Sequence, residues 1–334
     1  DLFGSGVSAP TIQAQNITFS GISSTGMTAN WTNGDGAKRI VLMNTANSFT
    51  NPADGSDPVA NTTYGGSGEQ VVYNGTGSPV SVTSLAGSTT YWFRVYEYNG
   101  SGATTKYLTT TATLNPNSQA TSAAATAPLV SLPVSSSITN TTAVVGGTIT
   151  ADGGSAITER GTVWKTSTGV AITDNKLAEG GTTVAAFTHT RSSLPPKTQI
   201  YFKAYATNLI GTTLTGENSF FTLANEPTTH VAGFAAAPNG ATSIILSWTA
   251  AATGADGYLI LMKAGAATPT GIPADATGYT IGNTLGDATV VALVTPGTLL
   301  AYTITGLSPA SQYSFTIIPY AWDGTNDATY NYYS

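Results

Sequence analysis

The sequence has no cysteine, two histidines and few charged residues. Because cysteine is absent, the chain can form no disulfide framework and no thiolate zinc site, and it has no thiol nucleophile. Asp, Glu, Lys and Arg together make up 8% of its 334 residues, and this is about a third of ordinary usage. The net charge is −6 and no segment is basic, so nucleic-acid binding has no electrostatic basis.

Long apolar runs are also missing. No stretch approaches the roughly 18 apolar residues that a membrane-spanning helix needs, so we expect no membrane insertion. The chain opens at Asp1 without a basic and apolar leader. Either a signal was removed or the sequence is an internal fragment, and we favour the fragment.

One sequence pattern occurs three times, at residues 85–98, 194–208 and 307–320. Each copy opens with a leucine and a short loop, then alternates aromatic and aliphatic positions. Self-similarity at a spacing of roughly a hundred residues indicates a row of like modules. After an N-terminal tether at residues 1–9, the predicted modules span residues 10–122, 128–224 and 228–334.

The alternation within the modules predicts β-strands. Tyr91, Phe93 and Val95 recur with the period of two that places side chains on one face of a strand, and pairs such as Asn33-Gly34 mark tight turns. A helical period is nowhere sustained. We therefore predict an all-β chain of three tandem β-sandwiches. The short junction at residues 225–227 predicts a restricted angle between the second and third modules.

The third module ends early, because its sequence stops soon after Tyr320, whereas the first module continues well beyond Tyr98. We predict that its final strand is missing, and this leaves an open sheet edge. Either the natural chain continues, or a neighbouring subunit completes the sheet by strand addition. A candidate for the added strand is the apolar part of the N-terminal tail, Leu2, Phe3 and Val7.

The modules resemble fibronectin type III and immunoglobulin-like domains. The resemblance rests on a tryptophan in the second strand and on a Leu-x5-Tyr phrase before the penultimate strand: Trp31 and Tyr91 in the first module, Trp248 and Tyr313 in the third. It implies that these four residues belong to the structural core, with each tyrosine hydroxyl bonded to upstream backbone in a tyrosine corner. The second module departs from the pattern: Ile200 stands at the tyrosine position, and Val145 is the nearest counterpart of the tryptophan.

The amino-acid sequences of the repeats are similar to those of repeats in long secreted cell-surface proteins of Bacteroidota. Examples are NITFSGISSTGMTANWTNGDGAKRIVL in the first module and TNTTAVVGGTITADGGSAITERGTVW in the second. In such proteins these repeats occur in gliding and attachment adhesins exported by the type 9 secretion system, and as spacers in secreted hydrolases. The resemblance implies an extracellular location and flanking repeats of the same protein as partners.

Candidate catalytic groups do not converge in the sequence. His189 and His230 stand in different modules and lack the short His and carboxylate spacing of metal or acid–base sites. No G-x-S-x-G elbow is present. Asp54 and Asp57, or Asp323 and Asp327, could lie as close together as a glycosidase pair does, but both pairs lie in Gly-rich turns. We interpret them as solvated turn residues, and we predict no catalytic site and no enzyme activity.

Calcium is the one cofactor that the sequence leaves open. Asp323-Gly324-Thr325-Asn326-Asp327 places several hard oxygens on one loop, although without the spacing of an EF-hand. Asp323 and Asp327 are the candidate ligands. Solvated turn residues are the alternative interpretation of both side chains.

An aromatic cluster near the end of the chain is its most ligand-like feature. Trp322 is followed by Tyr330, Tyr332 and Tyr333, and exposed rings beside Asp and Asn side chains are what a sugar-binding surface needs. Two interpretations stay open. Trp322, Tyr330 and Tyr332 bind surface glycans, or Tyr330 and Tyr332 alternate on one strand face and fill the core.

The sequence favours a non-catalytic extracellular segment, structural or adhesive, of a large cell-surface protein such as a stalk or filament. One alternative is a set of spacer modules in a secreted hydrolase whose catalytic domain lies outside this chain. Another is a carbohydrate-binding module. Flanking sequence would identify the spacer, and a glycan-array signal that disappears on Trp322→Ala would identify the carbohydrate-binding module.

Overall fold

The computed structural model of the chain describes residues 6–295 and 300–333. Leu2 and Phe3 of the predicted tether, and Ser334, lie outside the described residues. The chain divides into two compact units, Asp1–Thr126 and Ala127–Ser334, and its named strands pair antiparallel. In the part of the chain that the structure describes, no helix is long and apolar enough to cross a membrane.

The first unit is a β-sandwich. Its strands are β1 (Gln15–Ser20), β2 (Gly26–Thr32), β3 (Lys38–Asn44), β4 (Gln70–Gly75), β5 (Val80–Thr83), β6 (Thr90–Asn99), β7 (Lys106–Tyr107) and β8 (Asn117–Ala120). The smaller sheet has the order β1-β2-β5. The larger sheet has the order β4-β3-β6-β7, and β8 also pairs with β6.

The second unit begins with a sandwich of the same design. Its strands are β9 (Leu129–Ser136), β10 (Ala143–Ala151), β11 (Glu159–Lys165), β12 (Asn175–Ala178), β13 (Ala186–Arg191), β14 (Gln199–Thr207), β15 (Thr212–Leu214) and β16 (Asn218–Phe221). The smaller sheet is β13-β10-β9. The larger sheet is β12-β11-β14-β15, and β16 also pairs with β14.

The third sandwich completes the second unit. Its strands are β17 (Ala232–Pro238), β18 (Ile244–Thr249), β19 (Gly257–Ala264), β20 (Thr284–Leu285), β21 (Ala288–Val294), β22 (Ala301–Ile304), β23 (Tyr313–Ala321) and β24 (Asn331–Tyr332). The smaller sheet is β17-β18-β22 and the larger is β20-β21-β19-β23-β24. The predicted all-β fold of tandem, fibronectin type III-like sandwiches is therefore confirmed.

Three of the four predicted core residues are buried between the sheets. Trp31, Tyr91 and Trp248 are 7%, 2% and 5% exposed, and Trp31 and Tyr91 share one apolar cluster. Tyr313 differs, because it is only half-buried. Tyr313 begins β23, and no described strand pairs with this part of β23 on the side away from β19.

Each larger sheet also buries part of its outer face. In β3, Val41 and Met43 join the cluster between the sheets, whereas Ile40 and Leu42 join a second cluster outside the larger sheet. A strand that is buried on both faces reads as a continuous apolar run, and this explains the repeated phrases RIVLM and YLILM. In the third sandwich, Leu259, Leu261 and Tyr320 belong to the same kind of outer cluster.

Strand pairing corrects one assignment in the second sandwich. Matching hydrogen bonds at the starts of β2 and β10 align Ala29 with Val145 and Trp31 with Gly147. Val145 is therefore not the counterpart of the tryptophan, and that prediction is wrong. Gly147 leaves no room for a large side chain, because a Cβ atom there would lie 2.6 Å from Cβ of Ala204.

One aligned position in β3, β11 and β19 is buried and holds an arginine in the first two sandwiches and a tyrosine in the third. In the first sandwich Arg39 pairs bidentately with Glu97, at 3.0 Å for both Nε to Oε1 and Nη2 to Oε2, and the two side chains are 3% and 0% exposed. Arg160 is its counterpart in the second sandwich and binds Glu179 at 2.7 Å. The third sandwich has the ring of Tyr258 in this place, without an ion pair.

Candidate functional site

The loop before the penultimate strand makes the same hydrogen bond in the first and third sandwiches. The hydroxyl of Tyr91 accepts the N–H of Ala86 at 2.8 Å. The hydroxyl of Tyr313 accepts the N–H of Ser308 at 3.0 Å. These are tyrosine corners, and each fixes the loop that leads from the smaller sheet into the larger one.

A closing strand covers the edge of the larger sheet in the first and second sandwiches. This closing strand is β8 on β6 and β16 on β14, and in both it reads Asn-Ser-x-x-Thr, at residues 117–121 and 218–222. The asparagine amide donates to a carbonyl of the first strand of its sandwich. Asn117 binds the carbonyl of Ile17 at 2.8 Å and Asn218 that of Pro133 at 3.1 Å. The asparagine thus joins the first strand to the closing strand.

The threonine of the motif fixes the other end of the closing strand. Thr121 Oγ1 donates to the carbonyl of Ala86 at 2.6 Å and accepts the N–H of Thr89 at 3.0 Å. Thr222 makes the same two bonds in the second sandwich, also at 2.6 and 3.0 Å. Both hydroxyls are therefore used as donor and acceptor, and they join the closing strand to the loop before the penultimate strand.

The third sandwich has an open edge at this place. Among the described residues, β24 is the one strand on this side of β23, and it pairs with Tyr320 and Ala321 only. The first half of β23, from Tyr313 to Thr316, has β19 on one side and no strand of residues 6–295 or 300–333 on the other. That the final strand of the third sandwich is missing stays a prediction.

Side chains that the closing strand covers elsewhere are exposed at the open edge. β1 and β17 share a bulge at the same register, and this makes Phe234 the counterpart of Ile17. Phe234 is 42% exposed, whereas Ile17 is 0% exposed. Tyr313 is half-buried where Tyr91 is buried. A groove of about 260 Å³ lies at the Tyr313 end of this edge, lined by Pro238, Gly240, Ala241, Ser243, Ile244, Leu307, Ser308, Ala310, Ser311 and Tyr313.

The aromatic cluster forms a stack of rings outside the larger sheet. The ring centroids of Trp322 and Tyr330 lie 4.7 Å apart and those of Tyr330 and Tyr332 5.5 Å apart. Tyr330 and Tyr332 are 6% and 2% exposed, and burial raises the pKa of Tyr332. Of the two interpretations of these tyrosines, their burial supports the one in which they fill a core, because protein covers both rings. Trp322 is partly exposed, and its glycan contact stays a prediction.

The two candidate calcium ligands lie in one turn. Asp323 Oδ1 accepts the N–H groups of Thr325 and Asn326, both at 2.7 Å. Burial raises the pKa of Asp323, but these backbone bonds outweigh it and hold the pKa below its ordinary value. Asp327 begins a single 3-10 turn, Asp327–Thr329. Within the described ranges, no three His, Asp or Glu side chains are grouped closely enough to hold a metal ion, and calcium binding stays a prediction.

Asp54 and Asp57, the other pair of carboxylates considered in the sequence, stabilise turns through hydrogen bonds. Asp54 accepts the N–H of Tyr107 and binds Lys106 Nζ, both at 3.0 Å, and these bonds lower its pKa. Asp57 accepts the side-chain amide of Asn74 at 2.8 Å, which likewise lowers the pKa of Asp57. A lowered pKa opposes the proton uptake that a general acid needs.

The two histidines lie apart in different surroundings. His189 is half-buried on β13, and its Nε2 lies 2.7 Å from Oγ1 of Thr162. His230 is exposed beside the ring of Tyr333, with centroids 5.6 Å apart. In the hydrogen bonds that the structure shows, neither imidazole ring is bonded to a carboxylate.

The junction between the second and third sandwiches is hydrogen-bonded. The N–H of Ala224 donates to the carbonyl of Thr329, and its carbonyl accepts the amide of Asn331, both at 2.8 Å. Lys197 and Asp256 form an ion pair across the junction at 2.5 Å. A cleft of about 470 Å³ beside it is lined by Ile138, Phe220, Phe221, Leu223, Asp275, Ala276 and Ala328. These contacts restrict the angle between the two sandwiches.

Sequence reasoning missed the closing-strand motif. Its signal was available, because NSQAT and NSFFT each follow their penultimate strand and the third module has no such segment after Tyr320. The pattern was hidden by composition, since Asn, Ser and Thr are common throughout this chain. Only the shared contacts of asparagine and threonine identify it as a site.

The chain matches no family model and no curated protein. Among solved structures it is similar to the crystal structure of the FN1–FN3 domains of chicken CNTN1, at 16% sequence identity and a TM-score of 0.29. The match covers 97% of this chain and 96% of that chain. The assignment to fibronectin type III-like sandwiches therefore rests on the strand order described above.

Proposed function

We propose that this chain is a non-catalytic structural or adhesive segment of an extracellular, repeat-built protein, of the kind that its wording resembles in Bacteroidota. The observation that carries the proposal is the junction at Ala224, where both backbone polar groups of a linker residue bind the next sandwich. A junction fixed in this way keeps the two modules at a restricted angle, which a loose linker would not do.

The sandwiches themselves support a mechanical role. Each of the two closed sandwiches has its first strand and its closing strand joined by an asparagine side chain. The chain enters a sandwich through the first strand and leaves it through the closing strand, so a pull on the chain loads these two strands directly. The asparagine bond joins the two strands that bear this load.

The test is single-molecule stretching of the full chain between two handles. We expect separate unfolding steps for the three sandwiches, with the third unfolding at the lowest force because its edge is open. Asn218→Ala should lower the unfolding force of the second sandwich only, and Asn283→Ala, in a local turn of the third sandwich, is the matched control. A single concerted step, or equal forces with and without Asn218, would count against the mechanical role.

A carbohydrate-binding function is the competing proposal, and Trp322 is the residue on which it depends. One face of its ring packs on Tyr330. We expect the full chain to give no glycan-array signal above background. A signal that Trp322→Ala removes, while the control Trp92→Ala keeps it, would replace the structural proposal with a glycan-reading one.

A further inference from the structure

Four asparagines of the chain are followed by glycine, at positions 33, 74, 99 and 239. Such a pair can react within itself, because glycine has no side chain to shield its backbone nitrogen from the asparagine carboxamide. The reaction has two requirements. The carboxamide must be able to turn onto the backbone, and the glycine N–H must be able to lose its proton. The structure removes at least one of these freedoms at three of the four pairs.

The pair Asn33-Gly34 is held at the glycine. The N–H of Gly34 donates to Oε1 of Glu97 at 2.9 Å, and the side chain of Glu97 is 0% exposed. A buried carboxylate at this distance stabilises the N–H and opposes the negative charge that deprotonation would place on the nitrogen. Asn33 is exposed, but the nitrogen that it would have to meet is not reactive.

The pair Asn74-Gly75 is held at the carboxamide. The side-chain amide of Asn74 donates to Oδ1 of Asp57 and to the carbonyl of Pro58, both at 2.8 Å. The side-chain oxygen of Asn74 accepts the hydroxyl of Tyr98. The carboxamide would have to give up these hydrogen bonds before it could turn onto Gly75.

The pair Asn99-Gly100 is held in the same way. The side-chain oxygen of Asn99 accepts the N–H of Ala37 at 2.8 Å, and its amide donates to the carbonyl of Ser8 at 3.0 Å. Both ends of the carboxamide are therefore bonded to backbone. Its rotation onto Gly100 would break both bonds.

The pair Asn239-Gly240 is the exception. Both residues are exposed in the loop between β17 and β18. The N–H of Asn239 donates to the carbonyl of Ser243 at 2.9 Å, and the backbone carbonyl of Asn239 accepts the Ser243 hydroxyl. Within residues 6–295 and 300–333, neither the carboxamide of Asn239 nor the N–H of Gly240 forms a hydrogen bond. The loop is therefore held through its backbone while both reacting groups are free.

We propose that Asn239 is a site of spontaneous covalent modification, at which asparagine becomes aspartate or isoaspartate with water as the co-reactant. The nitrogen of Gly240 forms a bond to Cγ of Asn239, and the bond from Cγ to Nδ2 breaks. The amide proton of Gly240 leaves with Nδ2 as ammonia. Water then opens the cyclic imide without any change of oxidation state. Cleavage between the nitrogen and Cγ gives aspartate, and cleavage between the nitrogen and the main-chain carbonyl carbon gives isoaspartate.

Either product changes the hairpin that joins β17 to β18. Both replace a neutral amide by a carboxylate, and isoaspartate also lengthens the main chain by one atom between residues 239 and 240. The third sandwich thus becomes chemically heterogeneous at a defined loop as the protein ages. The inference goes beyond the proposed function, because it concerns the chemistry of one loop and not the load on a module.

The experiment is incubation of the full chain at mildly alkaline pH, folded in buffer and unfolded in denaturant. Peptide mapping by mass spectrometry then distinguishes aspartate from isoaspartate at each site. In denaturant the four pairs should convert at similar rates, because only the local sequence acts there. In the folded chain Asn239 should convert at least about tenfold faster than each of the other three, and this ratio corresponds to ~1.4 kcal/mol of activation free energy.

Two matched variants locate the modification in the intact protein. Anion exchange separates the converted chain, because it carries an additional negative charge. Asn239→Gln should abolish the principal acidic product, since the longer side chain would have to close a larger ring that forms more slowly. Asn33→Gln is the control, at the exposed asparagine whose glycine is bound to Glu97, and it should leave that product unchanged. Far-UV circular dichroism of both variants verifies their folding.

Three results would overturn the proposal. The first is protection of Asn239 in the folded chain to the level of the other three asparagines. The second is faster conversion at Asn33, Asn74 or Asn99, and the third is a principal acidic product that persists in Asn239→Gln. None of these results bears on the separate unfolding steps expected under force, so failure of the modification site and failure of the mechanical role are distinguishable.

Discussion

The second and third sandwiches share a strand order but differ at one edge. The second has a closing strand, and its Phe202 is 1% exposed; no such strand is found within residues 228–295 and 300–333 of the third, and the counterpart Phe315 is 9% exposed. The difference is larger on the first strand, where Phe234 is 42% exposed. One short strand of four residues therefore decides whether the core of such a sandwich is sealed at its side.

The comparison also separates two ways of filling a core. The first and second sandwiches admit buried arginines and pair them with carboxylates. The third has Tyr258 and Trp248 in contact at this place, with centroids 5.6 Å apart. An ion pair that is buried must be complete, because one charge left alone in the core costs more than the pair contributes.

The largest effect is expected from Glu97→Gln in the first sandwich. The change leaves the guanidinium of Arg39 buried without its counter-charge, and we expect a loss of about 3–5 kcal/mol in the free energy of unfolding. Native-state hydrogen exchange measured on peptides of the first unit reports this loss within the full chain. Asp54→Asn removes the exposed partner of Lys106 and is the control, with no measurable loss expected. Equal effects of the two changes would contradict the account.

Truncation of one ring in each of two sandwiches compares the closed and the open core directly. Phe202→Ala should lower the free energy of unfolding of the second sandwich by about 3–5 kcal/mol. Phe315→Ala should cost the third sandwich less, since water already reaches that side and can enter the space left by the ring. The same exchange measurement reports both variants. A larger loss for Phe315→Ala than for Phe202→Ala would mean that the edge is sealed.

The threonine of the closing strand is expected to have an intermediate effect. Thr222→Val keeps the shape of the side chain but leaves the partly buried carbonyl of Pro195 and the partly buried N–H of Thr198 without their partner, at a cost of about 1 kcal/mol. Thr213→Val, on the neighbouring β15, is the matched control and should be close to neutral. Hydrogen exchange of the β14 amides, measured over a range of denaturant concentrations, gives the difference in the free energy of unfolding between the two variants. Equal values for the two threonines would show that the motif contributes shape only.

Acidification should weaken the second sandwich through His189. Burial, assisted by the charge of Arg191, holds the pKa of His189 below its ordinary value of 6.5. As the pH decreases below 6.5, the unfolded chain therefore binds more protons than the folded chain. The free energy of unfolding then decreases until the pH has passed the pKa of His189 in the folded chain. The measurement is hydrogen exchange of β13 between pH 7 and pH 5, corrected for intrinsic rates. His189→Gln should remove this slope, and a slope that persists in the variant would assign it to another group.

Much of the fold could be predicted from the sequence, because alternation and turn residues are local signals. Tyr91, Phe93 and Val95 mark a strand by their spacing, and Trp31 and Trp248 lie in the cores where the resemblance implied. The position of Val145 could not be read in this way. Register depends on which residue pairs with which across the sheet, and a shift of two residues preserves the alternation.

The candidate site was less accessible to sequence reasoning. The early end of the third module predicted an open edge, but not the groups that line it. Tyr330 and Tyr332 illustrate the limit, since an aromatic cluster in a polar loop has the same sequence whether its rings face water or an outer core. What decides between them is the second apolar face of the larger sheet. That face follows from Leu259 and Leu261 only once the strand is known to be buried on both sides.

The most direct test of the account is residue-resolved hydrogen exchange of the two penultimate strands in the full chain. The account predicts that the amides of Tyr313, Phe315 and Ile317 exchange quickly, because they face an open edge. Their counterparts Ile200, Phe202 and Ala204 should be protected to the level of global unfolding of the second sandwich. Equal protection of the two sets would contradict the open edge.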